Sequence, residues 1–308
     1  MTVEHVAQSR NMSIQQHKAT VKDYMKVVKS GIIQSNLITA FTGGFLAIML
    51  SDQSFLQSLT TMCLMMVGVA MIIGGVCVWN NYYDQDIDQL MNSKTNRPSI
   101  NGTFSDSFLF KFGLSLMLFG ELLLFMINPI SGLLGFLGIF SYFVLYSVFT
   151  KRHFVSNTIV GSISGAIPPL IGFAAIYNGL TLEAWVLFLI MFVWQPPHFY
   201  ALAIKRRQEY GAAGVPMLPT VYGFKRARIS IMFWLLLLLP IPFLIPSLGS
   251  LFLVVMTVLN LIWIAIGMTG FKQSVNEEKW AMRMFLFSLN YMIITFVMVV
   301  VISLIEMI

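Results

Sequence analysis

Residues 80–88 bring together side chains that can do chemistry. Asp84, Asp86 and Asp88, three of the six aspartates in the sequence, fall within five residues, and Asn80 precedes them. Asn80, Asp84 and Asp88 are spaced i, i+4, i+8, so a continuing helix places them on one stripe, while Asp86 points about 200° away from Asp84. The spacing predicts one helix face that carries an amide and two carboxylates.

Carboxylates on adjacent helical turns repel each other unless a cation lies between them. Oxygen ligands suit Mg²⁺, which usually shares its coordination shell with substrate phosphates. Lys94 and Arg97 follow the aspartates and can hold phosphate oxygens directly. The alternative is a solvated acidic helix end. Because acidic residues are scarce elsewhere and this cluster adjoins an apolar run, we favour a metal–diphosphate site.

Two further residues lie within or beside apolar runs. His198 follows Pro196 and Pro197, and its position alone favours a hydrogen bond between helices over metal ligation. Tyr146 precedes Lys151 by five residues at the end of another run, where a tyrosine often anchors a helix at the membrane interface. Both proline pairs, 168–169 and 196–197, are predicted to kink or break their helices.

The composition identifies the elements that must position these residues. Of the 308 residues, 57% are hydrophobic and 10% charged, with a mean hydropathy of +0.79, whereas soluble domains carry about 25% charge. Nine runs are long enough to cross a bilayer. They are 31–50, 56–79, 107–127, 130–149, 155–177, 181–204, 229–247, 250–271 and 284–306. The sequence predicts an all-α integral membrane protein, a bundle around a cavity open near the cytoplasmic side.

The basic residues predict the orientation of this bundle. All 19 Lys and Arg lie in the N-terminal segment, in the even-numbered linkers or, for Lys111, just inside the third run. By the positive-inside rule the N-terminus is cytoplasmic and the C-terminus outside. The net charge of +6 therefore reflects membrane topology, and no nucleic-acid partner is expected. No transit peptide is recognisable, which favours a bacterial cytoplasmic membrane.

We divide the chain into a basic cytoplasmic tail, 1–30, and a single membrane domain, 31–308. Within the tail, Lys18, Lys22, Lys26 and Lys29 fall on one helical stripe. This pattern suits an interfacial helix on an anionic bilayer surface, or equally a basic tail that only sets orientation.

Several segments, in register, resemble the UbiA-type intramembrane prenyltransferases. They are N-x-x-x-D-x-x-x-D at 80–88, NRP at 96–98, KRH at 151–153, GAIPPLIG at 165–172, WQPPHF at 194–199, and EY at 209–210 followed by GVPMLP at 214–219. The segment around His198 resembles the branch that farnesylates heme. The resemblance covers residues from about 30 to 290.

The resemblance implies a role for each candidate residue. Asn80, Asp84 and Asp88 would hold Mg²⁺ against farnesyl diphosphate, with Tyr146 and Lys151 beside them. The sixth linker would supply a second diphosphate motif. That motif usually has two aspartates, but Glu209 is the only acid here, so we expect mainly basic contacts. The substrate-binding candidates are Lys94, Arg97, Arg152, His198, Lys205, Arg206, Glu209 and Tyr210, with His198 on the heme iron.

The implied reaction transfers a farnesyl group to a vinyl group of heme b with addition of water. The product would be heme O, passed on to a downstream heme A synthase. One alternative keeps the metal site but uses another aromatic acceptor, such as a quinone precursor. Another is a secondary transporter, but transporters bind near the bilayer midplane and these acids lie at one rim.

Overall fold

The computed structural model describes residues 19–51 and 53–306, of which most are helical and none forms a strand. The helices are α1 (Val21–Val27), α2 (Ser30–Met49), α3 (Phe55–Tyr83), α4 (Gln85–Asp88), α5 (Asp106–Ile127), α6 (Pro129–Ile139), α7 (Asn157–Tyr177), α8 (Leu182–Lys205), α9 (Arg207–Ala212), α10 (Leu218–Leu238), α11 (Gly249–Met268) and α12 (Glu277–Glu306). A π-helix, Phe140–Thr150, continues α6. Short 3₁₀ turns cover Asn92–Lys94, Ile241–Leu244, Pro246–Leu248 and Thr269–Phe271.

Within the described residues, nine helical segments are long and apolar enough to span a membrane, which confirms the predicted class and number. They are α2, α3, α5, α6 with its π-helix, α7, α8, α10 with the following turn, α11 with its flanking turns, and α12. Large apolar side chains such as Phe125 and Leu236 are exposed on their outer faces, as lipid-facing residues are. Which terminus lies on which side stays a prediction.

Some helices extend beyond the apolar runs that predicted them. The seventh span begins at Leu218 rather than 229 and the ninth at Glu277 rather than 284. Hydropathy detects only the part inside hydrocarbon, whereas helical hydrogen bonding continues through the charged turns outside it. Gly223, with φ of 74°, interrupts α10 near its start. The sixth linker is therefore shorter than predicted and contains α9.

The most deeply buried spans, α7 and α8, pack against each other at the centre of the bundle. Pro168 and Pro169 lie inside α7, and Pro196 and Pro197 lie inside α8. The prolines do not break these helices, because each runs through as one element. The two helices meet where the Gln195 side chain lies against Gly165 and donates to the Ser162 carbonyl at 3.0 Å.

Helices α2 and α7 approach each other through glycine. A Cβ on Gly172 would overlap the carbonyl oxygen of Ala40, and a Cβ on Gly43 would overlap that of Pro169. Small residues at such crossings let membrane helices pack backbone to backbone. This contact sets the separation of two cavity walls.

Gly172→Ala is therefore expected to destabilise the protein by about 1–3 kcal/mol, because the new methyl must push α2 away. The free energy of unfolding in detergent–SDS mixtures measures the effect. Gly31→Ala is the matched control on α2, since nothing lies within 4 Å of its added Cβ. Equal stability of the two variants would contradict the close-approach argument.

The chain enters the bundle through α1. Its Tyr24 ring packs edge-on against Phe104, Phe108 and Phe112. A left-handed residue, Lys29 with φ of 54°, separates α1 from α2. The predicted lysine stripe is thus wrong for Lys29, which turns off the helix, while Lys18 lies outside the described residues. The interfacial role of the tail is still a prediction.

Candidate active site

A cavity of about 540 Å³ enters the bundle where α3 passes into α4 and α8 into α9, which we call the polar end. Helices α2, α3, α6, α7, α8 and α12 line it. Five cationic side chains line its polar end, and aromatic, methionine and aliphatic side chains line its depth. The five cations are Lys29, Lys94, Arg97, Lys151 and Arg206.

Asp84 is fully buried beside this cavity. It caps α3, and its carboxylate accepts hydrogen bonds from Lys151, from Arg152 at 3.4 Å and from Asn80 Nδ2 at 2.6 Å. The amide N–H of Asp84 still donates to the Asn80 carbonyl at 3.0 Å, and that of Asp88 donates to the Asp84 carbonyl at 2.8 Å. This continued i to i+4 bonding keeps the three side chains on one side of the chain.

Asp88 is buried with a second pair of cations. It accepts hydrogen bonds from Lys94 Nζ at 2.7 Å and from Arg97. Burial raises the pKa of Asp88, but Lys94 and Arg97 outweigh that effect and hold the pKa below its usual value. Each buried carboxylate therefore has two basic partners, so the site is cationic before any ligand binds.

Asp86 points the other way, as its position on the helix predicts. Its side chain is 61% exposed, against 0% for Asp84. Arg152 donates to both Asp86 oxygens, at 2.6 and 2.8 Å, and this hydrogen bonding lowers the pKa of Asp86. The Arg152 guanidinium also lies over the Tyr83 ring at 4.7 Å. Arg152 thus packs on the outer side of the motif and does not line the cavity.

Lys29 is a site residue that the sequence reasoning missed. Its Nζ donates to Asn80 Oδ1 at 2.6 Å, and burial lowers its pKa to about 8. The left-handed turn at Lys29 directs it inward, away from the exposed Lys26. Nearby, Asn81 Nδ2 donates to the Val27 carbonyl at 2.7 Å and its Oδ1 accepts from Arg97 at 3.1 Å. Residues 27–29, at the end of the tail, thus close one side of the site.

The π-helix after α6 contains Tyr142 and Tyr146, and Lys151 directly follows it. The Lys151 amide donates to the Tyr146 carbonyl five residues back at 2.8 Å, and Ser147 Oγ donates to the Tyr142 carbonyl at 3.1 Å. Such wider turns recur at functional sites because they shift side chains off the regular helical face. Both tyrosines line the cavity, so the predicted Tyr146 and Lys151 lie beside Asp84, and Tyr142 joins them.

The sixth linker contributes only part of what was predicted. Arg206 and Tyr210 line the cavity, but Lys205 is exposed and does not. Glu209 accepts hydrogen bonds from Ser93, from Oγ at 2.7 Å and from N at 3.3 Å. Glu209 therefore links the sixth linker to the loop that carries Lys94 at the polar end.

His198 lies deeper in the cavity wall. Its ring stacks between Trp194 and Phe285, with centroid distances of 4.7 and 4.8 Å. Its Nδ1 atom is 2.7 Å from Ser288 Oγ. Gln195, Met191 and Met292 also line this region.

The polar end can bind an anion with several charges, and its oxygen donors fit Mg²⁺. Among the described residues, no three His, Cys, Asp or Glu side chains group as a metal site. Two carboxylates and one amide oxygen are the donor set expected when substrate phosphates complete the coordination shell. The oxygens of Asn80, Asp84 and Asp88 accept hydrogen bonds from ammonium and guanidinium groups, and these three side chains are the ones that would hold the metal.

Comparisons with known proteins agree with this fold. The UbiA prenyltransferase family matches residues 36–289, and the chain belongs to this family. A protoheme IX farnesyltransferase from Macrococcus caseolyticus is 54% identical, over 99% of both chains. One from Staphylococcus saprophyticus is 50% identical over 94% of this chain and 96% of the relative.

A solved structure shares the fold at low identity. It is a UbiA homologue from Archaeoglobus fulgidus bound to DMAPP and Mg²⁺, with a TM-score of 0.68 and 15% identity, covering 90% of this chain and 99% of that one. At that identity the likeness supports the fold alone.

Proposed function

We propose that this membrane protein transfers a farnesyl group from farnesyl diphosphate to a vinyl group of heme b, with addition of water, and releases heme O. The observation that carries this proposal is the cavity itself. It joins a cation-rich end with two buried carboxylates to an aromatic chamber that contains one histidine. The name protoheme IX farnesyltransferase, borne by relatives about half identical over nearly the whole chain, supports the same assignment.

The diphosphate group would bind at the polar end. Lys29, Lys94, Arg97 and Lys151 line this end and are partly or wholly shielded from water, where charge-assisted hydrogen bonds to phosphate are strong. As the bond between carbon and the bridging oxygen breaks, these cations would stabilise the negative charge on the departing diphosphate.

Asn80, Asp84 and Asp88 would hold Mg²⁺ at the same place. Bound there, Mg²⁺ would neutralise part of the diphosphate charge and so make it a better leaving group. The basic residues at the polar end would neutralise the remaining diphosphate charge. Asp84 and Asp88 would also orient Lys151 and Lys94, whose ammonium groups they already hold.

The farnesyl chain and its allylic cation would lie in the aromatic part of the cavity. Tyr142 and Tyr146 line the cavity, and an aromatic ring stabilises a nearby cation by roughly 0.5–2 kcal/mol. Aliphatic and methionine side chains keep bulk water from quenching the cation. The heme vinyl group would add to this cation, and water would then capture the new cation on the heme side and lose a proton to solvent to give the hydroxyl group.

Heme b would bind with its iron toward His198 and one propionate toward Arg206. Among the described residues Arg206 forms no ion pair, so it is free to receive a carboxylate.

The product carries a farnesyl chain and would stay in the bilayer. We therefore place the enzyme in the bacterial cell membrane, handing heme O to a heme A synthase.

Incubation of the purified protein with heme b, farnesyl diphosphate and Mg²⁺ tests the proposal. Mass spectrometry of extracted heme is expected to show a gain of one farnesyl group plus water. The gain should disappear when EDTA replaces Mg²⁺. Unchanged heme, with diphosphate released only on adding another aromatic acceptor such as a quinone precursor, would retain the prenyl site and reject heme as the acceptor.

A further inference from the structure

We infer that Ser288, on α12, is a positioning residue that fixes the tautomer of His198 and leaves its Nε2 atom as an electron-pair donor for the substrate heme iron. The assignment rests on the proposed function for the identity of the ligand. Its tautomer part rests only on the contacts of these two side chains.

Counting hydrogens gives the tautomer. Ser288 Oγ lies 2.5 Å from the Phe285 carbonyl oxygen and 2.7 Å from His198 Nδ1. The carbonyl has no hydrogen to give, so the single hydroxyl hydrogen of Ser288 must point to Phe285. The hydrogen in the second contact must then come from Nδ1. A neutral His198 protonated on Nδ1 has its lone pair on Nε2.

The surroundings hold this arrangement in place. Trp194 and Phe285 clamp the two faces of the imidazole at interplanar angles of 21° and 29°, so the ring cannot flip without unstacking. Trp194 Nε1 also donates to the Ser288 carbonyl at 2.9 Å, which ties α8 to α12 at this residue. Nε2 makes no hydrogen bond with any described residue, and His198 lines the cavity.

This is the arrangement a metal-binding imidazole needs. Histidine ligands bind through one neutral nitrogen while the other nitrogen donates to an oxygen that fixes the ring orientation. Heme iron accepts such a nitrogen. Binding through iron would hold the heme against α8, in the cavity that His198 lines.

Solid-state ¹⁵N NMR of histidine-labelled protein in liposomes tests the tautomer without substrate. The sequence has four histidines, and the difference from a His198→Asn spectrum assigns the signal. We expect a protonated Nδ1 and an unprotonated Nε2, with the two forms mixed in Ser288→Ala. A wild-type His198 protonated on Nε2 would overturn the assignment, whichever acceptor the enzyme uses.

Titration of ferric heme b, followed by its Soret band and electron paramagnetic resonance, tests the iron contact. Ser288→Ala should weaken heme binding about 10-fold, the usual lower effect of losing such a partner. Ser288→Thr should retain binding. Ser303→Ala, a buried serine on the same helix, is the control and should not change it. An Nδ1-protonated His198 with equal heme affinity in Ser288→Ala would overturn the iron contact and leave farnesyl transfer unaffected.

Discussion

Replacing Asp84 by Asn is expected to lower kcat for farnesyl transfer by about 10²–10³-fold, the effect of removing one preorganised electrostatic contact from a buried site. Asp84 is fully buried, and it accepts from Lys151, Arg152 and Asn80 at once. Asparagine keeps the shape but removes the charge that would bind Mg²⁺ and orient Lys151. Diphosphate release and heme O formation, measured together under saturating substrates, check the result.

Asp86→Asn is the matched control for this change. It makes the same Asp-to-Asn change two residues away. Asp86, however, faces outward, and among the described residues its only ion pair is with Arg152. We expect less than a threefold change, since exposed ion pairs contribute about 0–1 kcal/mol. Equal damage from both substitutions would show that the motif does not act through one buried face.

Loss of folding is the other way in which Asp84→Asn can abolish activity. An unpaired, largely buried Lys151 costs about 3–5 kcal/mol. The double variant Asp84→Asn with Lys151→Met removes that unpaired charge and should recover thermal stability, yet remain less active than Lys151→Met alone. Activity equal to that of Lys151→Met would assign Asp84 a structural role only.

Much of the fold could be predicted because membrane insertion depends on local composition. Each span must be apolar over about 20 residues, so the nine runs are visible without knowledge of their contacts. The outward position of Asp86 was predictable for a similar reason, since i and i+4 residues share a face of any helix. Both rules need only positions along the chain.

The rest of the site depends on contacts between distant segments. Lys29 was assigned to a lysine stripe on the tail because a regular helix places it there, but the left-handed turn at this residue sends it to Asn80, 51 positions away. The π-helix changes which face Tyr142 presents, and the apolar pattern does not show it. Glu209 resembles a diphosphate-site acid in sequence, yet it is bound to Ser93.

Lys29→Met is expected to raise the KM for farnesyl diphosphate about 10–100-fold, which corresponds to loss of one hydrogen bond to a charged group. Lys29 lines the polar end, and its ammonium group donates to Asn80, which shares a helix face with Asp84. Methionine fills a similar volume without the charge. Initial rates at varied farnesyl diphosphate, with heme saturating, separate this KM effect from any effect on kcat.

Lys26→Met is the control. It removes the same charge from the tail, but Lys26 is exposed on α1, one turn before Lys29. It should leave KM unchanged. Lys29→Arg should recover most of the affinity, since it restores a cation at the site. If both methionine variants raise KM equally, the tail acts as a diffuse positive field that attracts the substrate, and Lys29 does not contact the diphosphate. An unequal effect that persists in high salt would instead place the Lys29 ammonium on the substrate, because close buried contacts are screened far less than exposed ones.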